Sequence, residues 1–246
     1  MKKRSIRIAL CSAAIIFLCG GLLSLLIYNG VILLNNPSDK NYPVKGVDVS
    51  SYQGDIDWSV LEAQNIKFAF IKATEGSGFV DPMFRENYGQ AQKTALRVGA
   101  YHFFSYDSSG KTQAEHFISV VPKTENMLPP VIDVEFYGDN EKHPPASAAV
   151  KKELSAMIET LKEHYGRYPV IYAVKKSYDL YIADAFSECD IWIRDIIFKP
   201  RLSDRRAWTF WQYTNRKKLE GYNGKEKFID MNVFHGTTDD FNNYAK

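Results

Sequence analysis

Eight short apolar runs recur along the chain from residue 44 onward, and each of them ends in polar residues. The runs are rich in aromatic and β-branched side chains, which is typical of buried β-strands. They cover residues 46–50, 68–72, 98–103, 131–135, 170–173, 191–194, 208–213 and 228–233. We therefore expect a domain that is built around eight strands.

The connections between these runs differ between the two halves of the domain. Helices are predicted at 57–64, 84–96 and 148–165, and the last has apolar residues at helical spacing and stops at Gly166. The last three connections are shorter, so complete crossover helices are not expected there. These features predict an α/β fold, namely an abbreviated TIM-like (β/α) barrel with helices mainly in its first half. A doubly wound open sheet is the alternative, although it would normally keep its helices to the end.

Polar and charged side chains lie at or just past the ends of these runs. In β/α barrels the catalytic groups sit at the carboxyl ends of the strands. A carboxylate within an apolar strand costs free energy unless it is paired or used. The side chains in question are Asp48, Glu75, Asp133, Glu135, Arg194, Gln212 and Asp230. Their common position predicts a shared cleft at one end of the barrel.

The most informative of these runs carries two acids, Asp133 and Glu135, separated by one residue. Strand residues two apart face the same side, roughly 6.6 Å apart along the strand. Two carboxylates in such a setting repel each other, so one of them should hold a proton at higher pH than a free acid. Glycosidic cleavage needs such a pair, because one acid protonates the leaving oxygen and its neighbour stabilises positive charge at the ring carbon. A structural acid pair bound by arginine or backbone donors is the competing interpretation.

The N-terminal part of the chain predicts a membrane anchor. A basic head is followed by an apolar run from about Ile8 to Leu34, which is long enough to cross a bilayer and has no small-residue cleavage site at its end. We interpret residues 1–34 as the anchor, 35–43 as a linker and 44–246 as the enzymatic domain. The basic head should stay in the cytoplasm, which makes this a single-pass protein of the cell membrane with its domain outside. A cleaved signal and a secreted domain form the alternative.

Composition excludes several classes of partner. The formal net charge is +2, and no basic stripe supports binding to nucleic acid. The five histidines are scattered without paired ligand spacing, so neither a metal site nor a cofactor is expected. Cys189 is the only cysteine outside the apolar N-terminal run, so the domain should depend on its core for stability.

An ordered set of motifs resembles the lysozymes of glycoside hydrolase family 25, which are N-acetylmuramidases that cut peptidoglycan. The resemblance runs from about Gly46 to Phe234. Its motifs lie at 48–54, 70–76, 99–103, 133–135, 169–172, 211–213 and 230–232. One departure is Asn65, which stands where the family pattern has glycine and should therefore adopt a positive φ.

The resemblance implies an abbreviated barrel without a metal, which hydrolyses the β-1,4 bond between N-acetylmuramic acid and N-acetylglucosamine. It implies that Glu135 is the general acid and that Asp133 is its partner, which either orients the N-acetyl group of the substrate or acts on water. Asp48 and Asp230 correspond to two further catalytic carboxylates on the floor of the cleft. The substrate-binding residues expected beside them are Tyr52, Tyr101, Tyr172, Trp211 and Gln212.

The expected partners are therefore the glycan strands of peptidoglycan and, through the N-terminal helix, the membrane. Two other functions compete with this interpretation. One is a hydrolase of another N-acetylglucosamine polymer such as chitin, and the other is a non-catalytic module that binds the cell wall. A pure binding site gains nothing from crowding four acids together, which favours the hydrolase.

Overall fold

A computed structural model describes the backbone of residues 2–245 and the side chains of residues 10–245. The strands in this part of the chain are Lys45–Val49 (β1), Ile66–Glu75 (β2), Phe79–Val80 (β3), Arg97–Phe103 (β4), Val131–Val134 (β5), Val170–Val174 (β6), Ile191–Arg194 (β7), Phe210–Lys217 (β8) and Ile229–Phe234 (β9). The helices are Lys2–Tyr28 (α1), Trp58–Ala63 (α2), Phe84–Ala91 (α3), Gly110–Val120 (α4), Ser147–Tyr165 (α5), Lys175–Ser177 (α6) and Thr238–Asn243 (α7).

Eight of the strands described close into a barrel. Their order is β1-β9-β8-β7-β6-β5-β4-β2, and pairing of β1 with β2 completes the ring. The two-residue strand β3 only forms a hairpin with the end of β2. The predicted abbreviated barrel is therefore confirmed, and the open-sheet alternative is wrong.

The direction of the last strand was not foreseen. Neighbouring strands from β1 through β2 and β4 to β8 run parallel, whereas β9 is antiparallel to both β8 and β1. No helix joins β8 to β9, and a connection without a crossover element lets adjacent strands pair only in opposite directions.

The helices follow the predicted asymmetry. The helices predicted at 57–64, 84–96 and 148–165 correspond to α2, α3 and α5, and α4 adds a further one. Between β6 and β7 the only helical segments among the residues described are the one-turn α6 and the π-helical turn Tyr178–Ile182. None of the described residues between β7 and β9 is helical, and α7 follows β9. Asn65 has φ of 66°, as its sequence position predicted.

The inside of the barrel is filled by aromatic rings. Phe68, Phe70, Trp192 and Phe210 are all almost fully buried, and the Phe70 and Trp192 rings stack with centroids 4.7 Å apart. Residues that alternate with these along the strands, such as Ile71, pack outward against the helices. Because the rings fill the lower barrel, only its upper end, at the carboxyl ends of the parallel strands, remains open as a cleft.

The N-terminal helix α1 includes an exposed apolar stretch, Leu10–Tyr28, that is long enough to cross a membrane. It ends at Tyr28, and the chain then runs over the barrel without regular secondary structure as far as β1. Within the predicted linker, Tyr42 is buried and stacks on Trp208 at 6.0 Å. The end of this linker therefore packs as part of the barrel domain.

Candidate active site

A cleft of about 330 Å³ opens at the carboxyl ends of the parallel strands. Its walls hold the four acids that the sequence singled out, together with aromatic and amide side chains. They are formed by Asp48, Val49, Ser50, Tyr52, Gln53, Lys72, Tyr101, Phe103, Asp133, Glu135, Tyr172, Trp192, Gln212, Asn215, Glu226, Phe228 and Asp230. A cavity of this size, lined by rings and a few convergent polar groups, is typical of a small-ligand site.

Two different strand arrangements bring the acids together. Asp133 lies within β5 and Glu135 follows that strand directly, as expected for the carboxyl end of a parallel strand. Asp230 is instead the second residue of β9, at the beginning of a strand. It reaches the cleft because β9 is antiparallel to β1, where Asp230 is the cross-strand partner of Asp48. Asp230 lies in the cleft, as predicted. It was expected at the carboxyl end of a parallel strand, whereas it lies at the beginning of an antiparallel one.

The pair Asp133 and Glu135 shares a largely buried environment. Asp133 is 7% exposed, and its Oδ1 has no hydrogen-bond partner among the residues described. Burial, and next the charge of Glu135, hold the pKa of Asp133 well above its usual range. Burial also raises the pKa of Glu135, but Arg194 opposes the effect. Both acids of the pair therefore favour the protonated form, while the charge of Arg194 favours ionisation of Glu135.

The second acid pair, Asp48 and Asp230, has many hydrogen-bond donors. The Nε2 of Gln212 donates to both oxygens of Asp48, at 2.9 and 3.0 Å, and the Nδ2 of Asn232 donates to its Oδ1 at 2.7 Å. The Nε1 of Trp192 in turn donates to the Oδ1 of Asn232 at 2.8 Å. Each donor is therefore oriented toward Asp48 by a further hydrogen bond or by the strand that carries it.

These donors decide the charge of the second pair. Burial raises the pKa of Asp48, and the hydrogen bonds from Asn232 and Gln212 counteract that effect. Burial, and next the charge of Asp48, raise the pKa of Asp230 well above its usual range. Asp48 and Asp230 also hydrogen bond each other. The amide donors thus favour the charge on Asp48 and the proton on Asp230, which can donate it to Asp48.

Two cations moderate this concentration of acids. Lys72 lines the cleft, lowers the pKa of Asp133 and forms an ion pair with Glu75 at 2.7 Å. Glu75 was predicted to share the cleft, but it is not among the residues that line it and instead pairs with Lys72. Arg194 lowers the pKa of Asp48, Glu135 and Asp230 through its positive charge. Both cations keep the net charge of the cleft less negative than its acids alone would make it.

Four of the five predicted substrate-binding side chains line the cleft, and they differ in how far they are exposed. Tyr52, Tyr101, Tyr172 and Gln212 line the cleft, and Tyr52 is 62% exposed at its mouth. Tyr172 and Gln212 are nearly buried, and the Tyr172 hydroxyl donates to the Gln212 Oε1 at 3.1 Å. This bond turns the Gln212 amide nitrogen toward Asp48. Tyr52 thus presents a free ring, whereas Gln212 orients a carboxylate.

The prediction that Trp211 binds the substrate is wrong, because Trp211 does not line the cleft. Its side chain is 3% exposed, packs with Tyr42 and Trp208 outside the barrel, and donates from Nε1 to the backbone oxygen of Asp195 at 2.8 Å. The reason is the two-residue period of a strand. Phe210 and Gln212 face the inside of the barrel, so the residue between them must face outward.

His102 is a structural residue of the barrel wall. Its Nδ1 lies 2.7 Å from the hydroxyl of Thr74, and its Nε2 lies 3.0 Å from the Oε1 of Gln113. Burial lowers the pKa of His102 to about 4, so the ring is neutral near neutral pH. Because it lies outside the cleft lining, His102 is not a candidate base.

Two residues that the sequence did not single out, Trp192 and Asn232, lie in or beside the cleft. Asn232 is fully buried within β9 and connects Trp192 to Asp48. An amide in an apolar strand, two residues from an acid, is the signal that was available. A buried amide needs partners, and an adjacent carboxylate is a natural one.

The chain is similar to several known proteins. The family model for "Glycosyl hydrolases family 25" matches residues 47–222. A structure of a family 25 glycosyl hydrolase from Bacillus anthracis is 62% identical, with a TM-score of 0.82, and covers 86% of this chain and 97% of that chain. Lysozyme M1 of Streptomyces globisporus is 30% identical over 211 residues, which are 79% of this chain and 68% of that protein. The uncharacterized protein YegX of Escherichia coli strain K12 is 33% identical over 205 residues, which are 81% of this chain and 72% of that protein.

Proposed function

The chain belongs to glycosyl hydrolase family 25, and we propose that it cleaves peptidoglycan as a muramidase with Asp133 and Glu135 at its chemical centre. It is a glycoside hydrolase of the lysozyme type, and lysozymes and muramidases of this family hydrolyse the glycan of peptidoglycan. The bond cleaved is the β-1,4 linkage between N-acetylmuramic acid and N-acetylglucosamine. The observation that carries the assignment to these two acids is the unpartnered Oδ1 of Asp133 beside Glu135 in the cleft.

The reaction begins with the proton that the pair retains. The acetamido N–H of a bound sugar donates a hydrogen bond to the Oδ1 of Asp133. This hydrogen bond stabilises the ionised form of Asp133, so the shared proton moves to Glu135. Glu135 then protonates the leaving glycosidic oxygen as its bond to the ring carbon breaks, while the ionised Asp133 offsets positive charge at that carbon. Water adds to the ring carbon, and the proton that it releases restores the acid pair. The free oxygen of Asp133 is thus the acceptor that an N-acetylated sugar satisfies, which favours this substrate over an unmodified glucose polymer.

The remaining residues bind and orient the sugar. Asp48 is held ionised on the floor of the cleft by Gln212 and Asn232, and it attracts positive charge or sugar hydroxyls from below. The exposed ring of Tyr52 stacks on a sugar at the mouth, a type of contact worth about 1–3 kcal/mol by analogy with base stacking. Tyr101 forms part of the wall between them.

The barrel works outside the cytoplasmic membrane and stays attached to it. This part of the proposal is supported by the exposed apolar stretch Leu10–Tyr28 of α1 and by the basic residues that precede it in the sequence. If the protein is anchored in this way, the mature protein retains its N-terminal residues and stays in the membrane fraction when membranes are washed with carbonate. Mass spectrometry that finds only a soluble product beginning after Leu34 would overturn it.

A turnover assay tests the enzymatic proposal directly. The full-length protein is incubated with purified cell wall and, separately, with chitin, and the new reducing ends are identified. Reducing-end N-acetylmuramic acid from the wall, together with intact chitin, is the expected result. Preferential cleavage of chitin would support the other hydrolase. Tight binding to the wall without any new reducing end would support the non-catalytic module.

A further inference from the structure

Three cations gather around one aromatic ring on the hairpin between β8 and β9. Arg216, Lys218 and Lys227 place their charges 5.2, 5.7 and 5.6 Å from the centroid of the Phe228 ring. Arg216 also lies 5.0 Å from the ring of Tyr28, where the apolar helix ends. We refer to Arg216, Lys218 and Lys227 as the basic cluster.

The basic cluster has no anionic partner within the part of the chain that the structure describes. The ion pairs found among those residues involve other lysines. Like charges held on one ring repel each other, and a ring quadrupole compensates for only part of that repulsion. The cluster is therefore a complementary surface for a negative charge that comes from outside the protein.

Two large apolar side chains protrude close to this cluster. Ile197 and Phe198 are 54% and 70% exposed in the loop after β7, and we call them the apolar tip. The Oδ1 of Asp195 accepts from the backbone nitrogens of both, at 3.0 and 2.8 Å. Trp211 anchors the same loop through the backbone oxygen of Asp195. These hydrogen bonds hold the backbone of the tip in a conformation that leaves both side chains exposed.

Both features lie where the apolar helix meets the barrel. Ile196 shares an apolar groove with the end of α1, including Ile27 and Tyr28, and with Arg216. The side chain of Asn35 donates to the backbone oxygen of Asp195 at 3.3 Å, which fastens the segment after the helix to the loop of the apolar tip. The end of the helix, the basic cluster and the apolar tip therefore form one continuous surface.

Gly30 shows that this junction depends on a close approach. It has φ of 66°, and a Cβ at this position would lie 2.1 Å from the backbone oxygen of Arg216. Any larger residue would push the end of the helix away from β8. Lys227 reinforces the junction by donating to the Oδ1 of Asn29 at 3.4 Å.

We propose that the barrel docks on the outer surface of the membrane that holds its anchor. The apolar tip enters the headgroup region, and the basic cluster binds the phosphates of anionic lipids. This inference rests on the proposed membrane anchor and goes beyond it, because an anchor alone would leave the barrel free to rotate. Exposed apolar residues beside clustered cations are the combination by which proteins bind the interface of an anionic bilayer.

Docking determines where the enzyme meets its substrate. Asn215 and Phe228, which line the cleft, belong to the same hairpin as the basic cluster. A barrel that is docked through this hairpin holds its cleft beside the membrane, so it acts on glycan strands that lie close to the lipid surface.

Hydrogen–deuterium exchange of the full-length protein in nanodiscs tests the proposal. One set of discs contains phosphatidylcholine alone, and the other contains phosphatidylcholine mixed with phosphatidylglycerol. We expect phosphatidylglycerol to slow exchange in the peptides covering 195–200 and 215–228. A basic residue at an anionic surface contributes about fivefold to binding, so neutralising three of them should weaken docking by about 100-fold. The variants are Arg216→Gln with Lys218→Gln and Lys227→Gln, and, for the apolar tip, Ile197→Ser with Phe198→Ser.

Matched controls separate docking from nonspecific effects. The triple change Lys93→Gln, Lys111→Gln and Lys152→Gln removes the same charge from exposed sites elsewhere, and Leu180→Ser removes an apolar side chain that is 39% exposed. Neither control variant should alter the protection of residues 195–200 and 215–228 from hydrogen–deuterium exchange. Every variant should cleave soluble wall fragments at the wild-type rate. If a docking variant proves unstable, addition of salt to the wild-type protein in mixed-lipid discs should remove the protection instead.

Several outcomes would overturn the proposal. Equal exchange in the two kinds of disc would show that no anionic lipid is bound. Protection by soluble wall teichoic acid but not by phosphatidylglycerol would show that the surface binds a wall polymer. Failure of the protein to remain with the discs would overturn the anchor and, with it, docking. Loss of muramidase activity would be seen separately, in the assay on soluble fragments.

Discussion

The cleft contains two pairs of acids that differ in their hydrogen bonds. Asp133 and Glu135 follow each other along one strand, and one oxygen of Asp133 has no partner in the part of the chain that the structure describes. Asp48 and Asp230 face each other across two antiparallel strands, and Gln212 and Asn232 supply donors to Asp48.

This difference shows how similar carboxyl groups acquire different tasks. Amide donors stabilise the ionised form of Asp48, so the oxygens of that carboxylate already have hydrogen-bond partners. The first pair lacks such donors, retains its proton and leaves an acceptor open for the substrate. The predictions below separate the two pairs, beginning with the largest effect.

Removal of the transferable proton should have the largest effect. Glu135→Gln keeps the shape of the side chain but cannot protonate a leaving group. General acid catalysis commonly contributes about 10²–10⁴-fold, so kcat on cell wall should fall by that factor while binding persists. Glu226→Gln is the matched control, because Glu226 also lines the cleft but is exposed. Near-normal turnover by Glu135→Gln would place the acid elsewhere.

Asp133→Asn should reduce kcat by about 10²-fold, which is the lower end of the range for general acid catalysis. It should also change the pH dependence of the rate. The intact pair keeps one proton to higher pH than a single acid does, because full ionisation puts two charges on one face. Without Asp133, the upper pH limit of activity should move to lower pH. A pH–rate profile with an unchanged upper limit would show that the two acids titrate independently.

The same substitution should stabilise the fold near neutral pH. The folded-state pKa of Asp133 is raised, so the native protein binds more protons than the unfolded chain does above the ordinary aspartate pKa of about 3.9. Wild-type stability should therefore fall as pH rises from that value toward the raised pKa, and Asp133→Asn should escape this loss. Thermal unfolding at pH 4 and pH 7 checks the sign, since the advantage of the variant should appear only at the higher pH.

A smaller effect is expected from the donors of the second pair. Asn232→Leu removes a hydrogen bond to a charged group, which is worth about 1.5–3 kcal/mol of stability, and leaves the Nε1 of Trp192 without its acceptor. It should also raise the pKa of Asp48 and shift the acidic limb of the pH–rate profile upward. Asn87→Leu is the matched control, because Asn87 is buried but donates to a backbone oxygen, that of Gly54. Stability should fall in both variants, and the pH profile should change only in Asn232→Leu.

The smallest effect should follow Asp230→Asn. If Asp230 is protonated and donates to Asp48, an amide can make the same donation. The net loss should be that of one hydrogen bond at most, about 0.5–1.5 kcal/mol, or no more than about tenfold in rate. Asp48→Asn removes the ionised member and should cost clearly more. Equal losses from the two substitutions would contradict the assignment of the proton.

Local sequence predicted the barrel, the four acids and most of the helices because those features depend on neighbouring residues. The prediction for Trp211 was wrong, although strand alternation places its side chain outward once Phe210 and Gln212 face inward. Asp230 shows a different difficulty. Its place in the cleft depends on the direction of β9 relative to β1, which no local pattern encodes.

The order of apolar runs, the acid pair along β5 and the apolar N-terminal stretch can all be obtained from the chain itself, because strand and helix periods are local properties. The protonation of the acids cannot be obtained in this way. It depends on burial and on donors such as Gln212 and Asn232, which lie 164 and 184 residues from Asp48 in sequence and meet it only when the barrel closes. The surface formed by α1, the basic cluster and the apolar tip likewise exists only in the folded chain, since it joins segments that are more than a hundred residues apart.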